Sequence, residues 1–359
     1  MITPKSPYEK PQPSATDQEL FASIDTVIRQ AGSDPDSTLG SVAREMVHTA
    51  VKLLRDQANV GEMKLISRSL KELRYALKVF RGYEETRKIS IFGSARTQEK
   101  HPDYQSAVAF AKGMAQAGWM ITTGAGGGIM AAGHGGAGAE KSFGVAIRLP
   151  FETTANDTII NDPKLITFRY FFTRKLMFMW QSHAIALYPG GFGTQDEGFE
   201  ALTLVQTGKA PTVPIVMIEQ PGGTYWKHWD RYVREALLAA GLISSDDLNL
   251  YFITDDIDAA SQHVLNFYRN YHSQRYVNDT LVFRVQRPIK PKQLEALNDE
   301  FKSLIKEGCI EQGGPLKQES EYPQLPRIYF TYTKYHFGKL RAMIDRINAF
   351  DLENSAAAT

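Results

Sequence analysis

The chain has 359 residues, of which 43% are hydrophobic and 23% charged, and its formal net charge is +1. This composition is that of an ordinary globular protein with two or three domains. The near-neutral charge excludes a strongly basic nucleic-acid or membrane-surface binder, and no apolar run approaches the ~20 residues that cross a bilayer. The single cysteine, Cys309, excludes an intrachain disulfide and fits a reducing compartment. Residues 1–16 contain no apolar segment, so we expect no signal peptide and a cytoplasmic location.

The N-terminal part of the chain has apolar residues at helical spacing. Three stretches, 17–30, 39–56 and 63–80, follow this period, and the first is ended by a Gly-Ser-Asp-Pro sequence. Residues 1–87 are therefore predicted to form a helical extension.

From Lys88 the chain alternates short apolar runs with amphipathic ones. Strands are predicted at 89–92, 119–122, 143–149, 184–188, 213–218 and 250–252, with helices between them, among them 104–117, 225–240 and 255–268. This alternation predicts an α/β fold, a Rossmann-like doubly wound parallel sheet over residues 88–272. Ligands bind such sheets beyond the carboxyl ends of the strands. Ser94, Gly124 and Gly190 all lie at predicted strand ends of that kind.

The pattern changes after about residue 275. A strand at 280–286, a helix at 292–306, a strand at 327–333 and a helix at 337–350 predict a small C-terminal α+β domain over 273–359. A regulatory ligand domain, an oligomer contact and plain packing all remain open as its role.

One stretch, Pro189–Glu197, carries three glycines between a buried strand and a helix. Glycine lets the backbone approach a ligand closely, and the unpaired N–H groups at a helix start favour an anion such as phosphate. The alternative is that Thr194 and Glu197 merely form a capping box at the helix start.

A second stretch upstream favours a binding site over a simple cap. Arg174 lies 23 residues before Glu197, on a predicted helix over about 172–182 that leads into the same strand. This helix can return Arg174 over the glycine turn. A guanidinium, a carboxylate and an anion-binding helix start would then share one cleft.

Arg174-Lys175 followed by the Pro-Gly-Gly-Phe-Gly-Thr-Gln-Asp-Glu run resembles the signature of the LOG family, over roughly residues 88–268. It is most similar to the long bacterial branch, nucleotide 5′-monophosphate nucleosidases often mislabelled lysine decarboxylases. The resemblance implies a phosphoribohydrolase that releases the base from nucleoside 5′-monophosphates, with AMP nucleosidases and cytokinin-activating enzymes among its relatives. It also implies a homodimer or higher homo-oligomer.

The resemblance and the chemistry assign the same residues. Cleavage of an N-ribosidic bond passes through an oxocarbenium-like transition state, which a carboxylate stabilises. Arg174 and Glu197 are the predicted catalytic residues. The phosphate is assigned to Gly190, Gly191, Gly193 and Thr194, and further substrate contacts to Ser94, Gly124, Gly127, Met130, Lys175 and Glu200. A surface or subunit contact stays open for Lys175, and support of Glu197 stays open for Glu200.

Other chemistries have less support in the sequence. The eight histidines show no metal-ligand spacing, no Gly-x-Ser-x-Gly elbow is present and nothing points to a pyridoxal-phosphate site, so no cofactor is expected. No nucleic-acid or membrane partner is expected either. A non-catalytic nucleotide sensor remains the alternative to the enzyme. Phe171, Phe172 and His183 depart from the plant-type pattern, and the Phe171 region and the loop 150–162 are predicted to set the base preference.

Overall fold

The computed structural model describes residues 15–149 and 155–356, with side chains from 17 to 351 in those ranges. Residues 150–154 of the loop predicted at 150–162 lie outside the described part. The chain divides into two compact units, Met1–Lys71 and Glu72–Thr359. The predicted domain bounds at 87/88 and 272/273 stay predictions.

The first unit is helical, as the apolar spacing predicts. It contains α1 (Ala15–Gln30), α2 (Thr38–Arg55) and the first half of α3 (Val60–Phe80). Ion pairs join α1 to α2, from Asp25 to Arg44 and from Asp17 to Arg55.

The second unit contains the predicted parallel sheet. Its seven strands have the order β4-β3-β2-β1-β5-β6-β7, and all neighbours are parallel. The strands are β1 (Lys88–Phe92), β2 (Met120–Thr123), β3 (Ser142–Ile147), β4 (Leu165–Phe168), β5 (Ala184–Leu187), β6 (Ile215–Ile218) and β7 (Tyr251–Thr254). The order reverses between β1 and β5, and this topological switch point is where doubly wound sheets open a ligand crevice.

Helices cover both faces of this sheet. They are α4 (Pro102–Gln116), α5 (Ile129–Ala137), α6 (Phe171–Gln181), α7 (Phe192–Gln206), α8 (Tyr225–Tyr232, continued by a π-helical turn, Val233–Leu238) and α9 (Ile257–Phe267). One core cluster joins the sheet to α4, α5 and α9, and a second joins it to α6, α7, α8 and the end of α3. Short apolar strands buried on both faces are typical of a parallel sheet.

The sequence prediction missed β4 and two strands of the C-terminal part. A four-stranded antiparallel sheet of order β10-β11-β9-β8 follows α9. Its elements are β8 (Tyr271–Val277), β9 (Thr280–Val285), α10 (Pro291–Glu300), β10 (Ile305–Gly313), β11 (Arg327–Tyr332) and α11 (Phe337–Ala356). The predicted α+β class is confirmed, but β8 and β10 are additional, and the helix predicted over 292–306 ends at Glu300. None of the helices in the described residues is long and apolar enough to span a bilayer.

Candidate active site

A cavity of about 960 Å³ opens at the carboxyl ends of the central strands. Its walls come from the turns after β1, β2 and β3 and from the starts of α6 and α7. Eight of the twelve predicted site residues line it: Ser94, Gly124, Met130, Arg174, Gly191, Gly193, Thr194 and Glu197. The other four, Gly127, Lys175, Gly190 and Glu200, lie next to this wall.

The turns after β1 and β5 meet at the switch point. The backbone N–H of Ser94 donates a hydrogen bond of 3.1 Å to the carbonyl of Pro189. A Cβ on Gly190 would collide with the Thr194 hydroxyl and would lie 3.0 Å from the Ser94 nitrogen. Gly190 therefore has a packing role, since it lets the two strand ends approach each other under the cavity.

Helix α7 begins at the cavity. Its N-cap is Gly191, and no side chain caps it. The alternative of a capping box is wrong, because the helix starts at Phe192 and both Thr194 and Glu197 lie inside it. The N–H groups of the first turn are left for a ligand, and the helix dipole favours an anion there.

Arg174 and Glu197 meet as the sequence predicts. The Arg174 Nη2 atom lies 3.4 Å from the Glu197 Oε1 atom, and both side chains are largely buried. The guanidinium also lies over the rings of Phe171 and Phe178, at 5.1 and 5.7 Å from their centroids. A guanidinium in contact with aromatic faces and a carboxylate is held in one orientation.

Burial raises the pKa of the Glu197 carboxyl, and the positive charges of Lys175 and Arg174 oppose that rise only in part. Only 8% of Glu197 is exposed. A carboxylate that is costly to keep charged in a cleft is a group suited to proton transfer.

Lys175 and Glu200 pair with each other. The Lys175 Nζ atom lies 2.7 Å from carboxylate oxygens of both Asp196 and Glu200 and 3.8 Å from Glu197. Burial lowers the pKa of Lys175, but the hydrogen bonds that its ammonium donates to Asp196 and Glu200 outweigh this effect and raise it. Lys175 therefore remains charged behind Glu197, and neither Lys175 nor Glu200 is among the residues that line the cavity.

The glycine turn after β2 packs against the turn after β1. Gly128 has φ +59°, and a Cβ there would collide with the Ser94 carbonyl oxygen. At Gly127 a Cβ would lie 3.3 Å from the carbonyl oxygen of Ala95, and at Gly124 it would lie 2.7 Å from the Met130 sulfur. These glycines hold two strand ends together, and Gly124 also leaves space in the cavity wall.

Two side chains that the sequence did not single out, the buried His134 and the half-buried Asn156, hold this turn. Asn156 donates a hydrogen bond of 3.0 Å to the Gly126 carbonyl, and it also contacts Nδ1 of His134. The Nε2 atom of His134 lies 3.0 Å from the Thr123 hydroxyl and from the Phe143 carbonyl. Burial lowers the pKa of His134, so it stays neutral. No sequence pattern pointed to this pair, because the residues are 22 apart on different elements.

A third missed residue, Tyr225, supports the turn after β5. Its hydroxyl donates a hydrogen bond of 2.5 Å to the Gly190 carbonyl and accepts one of 2.6 Å from the Gln195 side chain. Tyr225 thus fixes the glycine turn and the first turn of α7 relative to each other. His183, by contrast, lies before β5, where it accepts a hydrogen bond from the Lys88 N–H at the opposite end of the strand.

The family comparison agrees with the motif. Residues 127–264 match the family model described as possible lysine decarboxylase. The matched segment, residues 127–264, is thus similar to this family over less than half of the chain. The match includes Arg174 and the whole Pro189–Glu197 stretch, and β1 and the C-terminal sheet lie outside it. A comparison with curated proteins found no match.

Solved structures similar to this chain include two molybdenum cofactor proteins. The molybdenum cofactor carrier protein from Chlamydomonas reinhardtii is 21% identical, with a TM-score of 0.34, over 50% of this chain and 98% of that one. The molybdenum cofactor binding protein from Rippkaea orientalis is 16% identical, with a TM-score of 0.33, over 49% and 93%. DNA processing protein A from Helicobacter pylori is 13% identical, with a TM-score of 0.32, over 51% and 82%.

Among the described residues, no group of three or more His, Cys, Asp or Glu side chains has an arrangement that could hold a metal ion.

Proposed function

We propose that the protein hydrolyses the N-ribosidic bond of nucleoside 5′-monophosphates and releases the free base and ribose 5-phosphate. One observation carries the proposal: the Arg174–Glu197 pair, 3.4 Å apart, stands in a cavity whose floor is the uncapped start of α7. A site that only binds an anion has no use for a buried carboxylate beside it. A reaction that develops positive charge on the substrate does, because the carboxylate stabilises that charge.

The 5′-phosphate fits the start of α7. Gly191, Gly193 and Thr194 line the cavity there, and the N-cap residue has no side chain that competes for the N–H groups. A helix of 15 residues presents a substantial partial positive charge at this end. Glu197 lies one turn further along the same helix, so a phosphate at the helix start brings the attached sugar towards the carboxylate.

The reaction then needs one proton acceptor and a stabilised cation. The bond between C1′ and the base nitrogen breaks, and its electron pair leaves with the base, which takes a proton from solvent. Water adds to C1′ and gives a proton to the Glu197 carboxylate. Before that transfer the carboxylate stabilises the positive charge on the sugar. Arg174 holds the carboxylate in place and keeps one face of its guanidinium on the aromatic wall.

The test is base release from AMP, GMP, CMP and UMP and from the parent nucleosides, measured for wild type, Glu197→Ala and Arg174→Ala. We expect release from the monophosphates alone and a loss of at least about 100-fold in kcat for Glu197→Ala. Arg231→Ala, an exposed arginine on α8, is the control that keeps activity.

The contrary outcome is also informative. If the wild-type protein releases no base from any monophosphate while calorimetry shows that it binds them, the enzyme proposal fails and a nucleotide sensor remains. Equal base release from nucleosides and monophosphates would contradict the proposed phosphate site at α7. We also propose a homo-oligomer, which light scattering of the full chain tests, since a monomeric mass would contradict it.

A further inference from the structure

The far half of the cavity differs in character from the phosphate end. It is formed at the ends of β3 and β4 and at the start of α6, and most of its side chains are apolar: Ile147, Leu149, Ile160, Leu165 and Phe171. Two polar side chains, Arg148 and Thr167, stand among them. Small-molecule sites commonly combine an apolar wall with a few polar groups that fix orientation.

Arg148 has a fixed backbone position. It follows β3 directly, and its N–H donates a hydrogen bond of 2.8 Å to the Phe168 carbonyl at the end of β4. Within the described residues its guanidinium takes part in no hydrogen bond or ion pair. The side chain is exposed to the cavity, where a ligand can reach its donors.

The strand order sets the distance between the two ends of the cavity. The phosphate end follows β5, and Arg148 follows β3, with β1 and β2 between them. Three strand spacings correspond to about 14 Å. A nucleotide together with an extended arginine side chain covers that span.

The reacting groups lie between these ends. The Arg174 Nη1 atom would be 4.0 Å from a Cβ at Gly124, which places the guanidinium above the end of β2. A substrate with its phosphate at α7 therefore has its sugar beneath Arg174 and Glu197, and its base extends towards β3 and β4.

We infer that Arg148 reads the edge of the base and selects 6-oxopurine nucleotides, GMP and IMP, over AMP. This inference rests on the proposed function. Arginine has only donors, arranged as a planar fork. Guanine presents two neighbouring acceptors, O6 and N7, whereas adenine presents the N7 acceptor beside an N6 donor. The guanidinium can donate two hydrogen bonds to the guanine edge. On the adenine edge one of its N–H donors would face the N6 donor. Phe171 and Ile160 provide an apolar surface for the face of the ring.

The experiment measures Kd by calorimetry for GMP, IMP and AMP, using the full chain with Glu197→Gln so that each nucleotide stays intact. We expect GMP and IMP to bind about tenfold more tightly than AMP. Adding Arg148→Met should make the three Kd values similar, chiefly by weakening the binding of GMP and IMP. Adding Arg148→Lys should do the same, because lysine keeps the charge but lacks the fork. Arg231→Met is the control that leaves the ratio unchanged.

Three results would overturn the inference. The chain with Arg148 intact could bind AMP as tightly as GMP and IMP, or more tightly. The preference for GMP and IMP could persist in both Arg148 variants, or the variants could lose affinity equally for all three nucleotides. The last would make Arg148 a charge for the phosphate. Base release by the wild-type protein separates this failure from that of the proposed function. If GMP and AMP are both cleaved while the Arg148 variants keep the ratio, only the base-reading role is lost.

Discussion

Glu197 shows the conflict between stability and function at the scale of one residue. Burial makes its charged form unfavourable, and Arg174 and Lys175 compensate only in part, so the pKa of its carboxyl is raised. A group whose pKa is higher in the folded state contributes stability at low pH, and that stability is lost as the pH rises through the folded-state pKa. At neutral pH the charged carboxylate therefore weakens the fold.

This sign leads to the first prediction, for Glu197→Gln. The variant should lose base release but unfold at the same or a higher urea concentration than wild type at pH 7.5, because it removes a charge that is costly to bury. As the pH falls towards 4.5, the stability of wild type against urea should rise relative to that of the variant. If the variant were clearly less stable than wild type at pH 7.5, the attraction of the Glu197 carboxylate to Arg174 and Lys175 would outweigh the cost of burying its charge.

The pH dependence of the wild-type reaction gives a second prediction. In the proposed reaction Glu197 must be charged to accept the proton from water, so activity should fall on the acid side. Because burial raises the pKa of Glu197, the midpoint of the acid limb of kcat should lie above the ordinary glutamate value of 4.5. A midpoint at or below that value would contradict the role of Glu197 as the proton acceptor. Urea unfolding at each pH controls for loss of the fold.

Tyr225→Phe is the third residue-scale prediction. The change removes the hydrogen bonds to the Gly190 carbonyl and from Gln195 and leaves the ring. We expect KM for monophosphates to rise about three- to tenfold with little change in kcat, because a looser turn binds phosphate less well and chemistry occurs at Glu197. Tyr232→Phe, on the exposed side of α8, is the matched control. A fall in kcat at constant KM would contradict a positioning role.

At this scale the sequence predicted that Arg174 and Glu197 meet, and it missed the residues that hold the turns around them. Arg174 and Glu197 could be found because a strand, a glycine turn and a helix start each leave a local pattern. Tyr225, His134 and Asn156 leave none, because their hydrogen-bond partners lie on other elements of the chain. The alternative of a capping box shows the opposite case, since Thr194-x-x-Glu197 matches a local pattern but the helix starts earlier, at Phe192.

At the scale of elements, the site depends on two strand-end turns in close contact. Gly128 is the closest point, because a side chain there would meet the Ser94 carbonyl and the backbone of Ala95. Its φ of +59° is also unfavourable for other residues.

Gly128→Ala should therefore lower the free energy of unfolding by about 2 kcal/mol or more, and it should weaken nucleotide binding as the turns separate. Gly135→Ala is the matched control, since no atom within 4 Å would meet a Cβ there and the residue lies inside α5. That change should stabilise the protein by up to about 1 kcal/mol. Urea unfolding measures both, and equal effects of the two changes would contradict the close contact.

The missed strands also have physical reasons. β4 has four residues and comes straight after a polar loop, so its alternation is too short to recognise. β8 and β10 contain Gln, Arg, Lys and Glu at many positions, because one face of an antiparallel sheet can meet water. Strands of the parallel sheet were found more readily, since burial on both faces leaves continuous apolar runs.

At the scale of the Glu72–Thr359 unit, α7 connects the site with the C-terminal part. Its first turn forms the floor of the cavity, and just after its last turn Gly208, with φ +67°, lies against the Phe337 ring that begins α11. A Cβ at Gly208 would collide with that ring. The C-terminal part therefore packs against the end of the helix that carries Glu197.

Asn348 is the second link between the two sheets. It lies on α11, is only 4% exposed, and accepts hydrogen bonds of 2.8 and 2.9 Å from the N–H groups of Asn270 and Tyr271 at the start of β8. Its amide also donates a bond of 2.7 Å to the Phe267 carbonyl at the end of α9. One side chain thus satisfies three backbone groups at the junction of α9 and β8.

Asn348→Ala should leave these three buried groups without their partner and lower the free energy of unfolding by about 2–5 kcal/mol. Amide exchange at Asn270 and Tyr271 should accelerate more than exchange in β1, since the junction opens first. Asn266→Ala on α9 is the control, because its side chain makes none of these bonds. If Asn348→Ala changed neither urea unfolding nor exchange, α11 would be held by its other contacts, such as the ion pairs of Asp351 and the packing of Phe337.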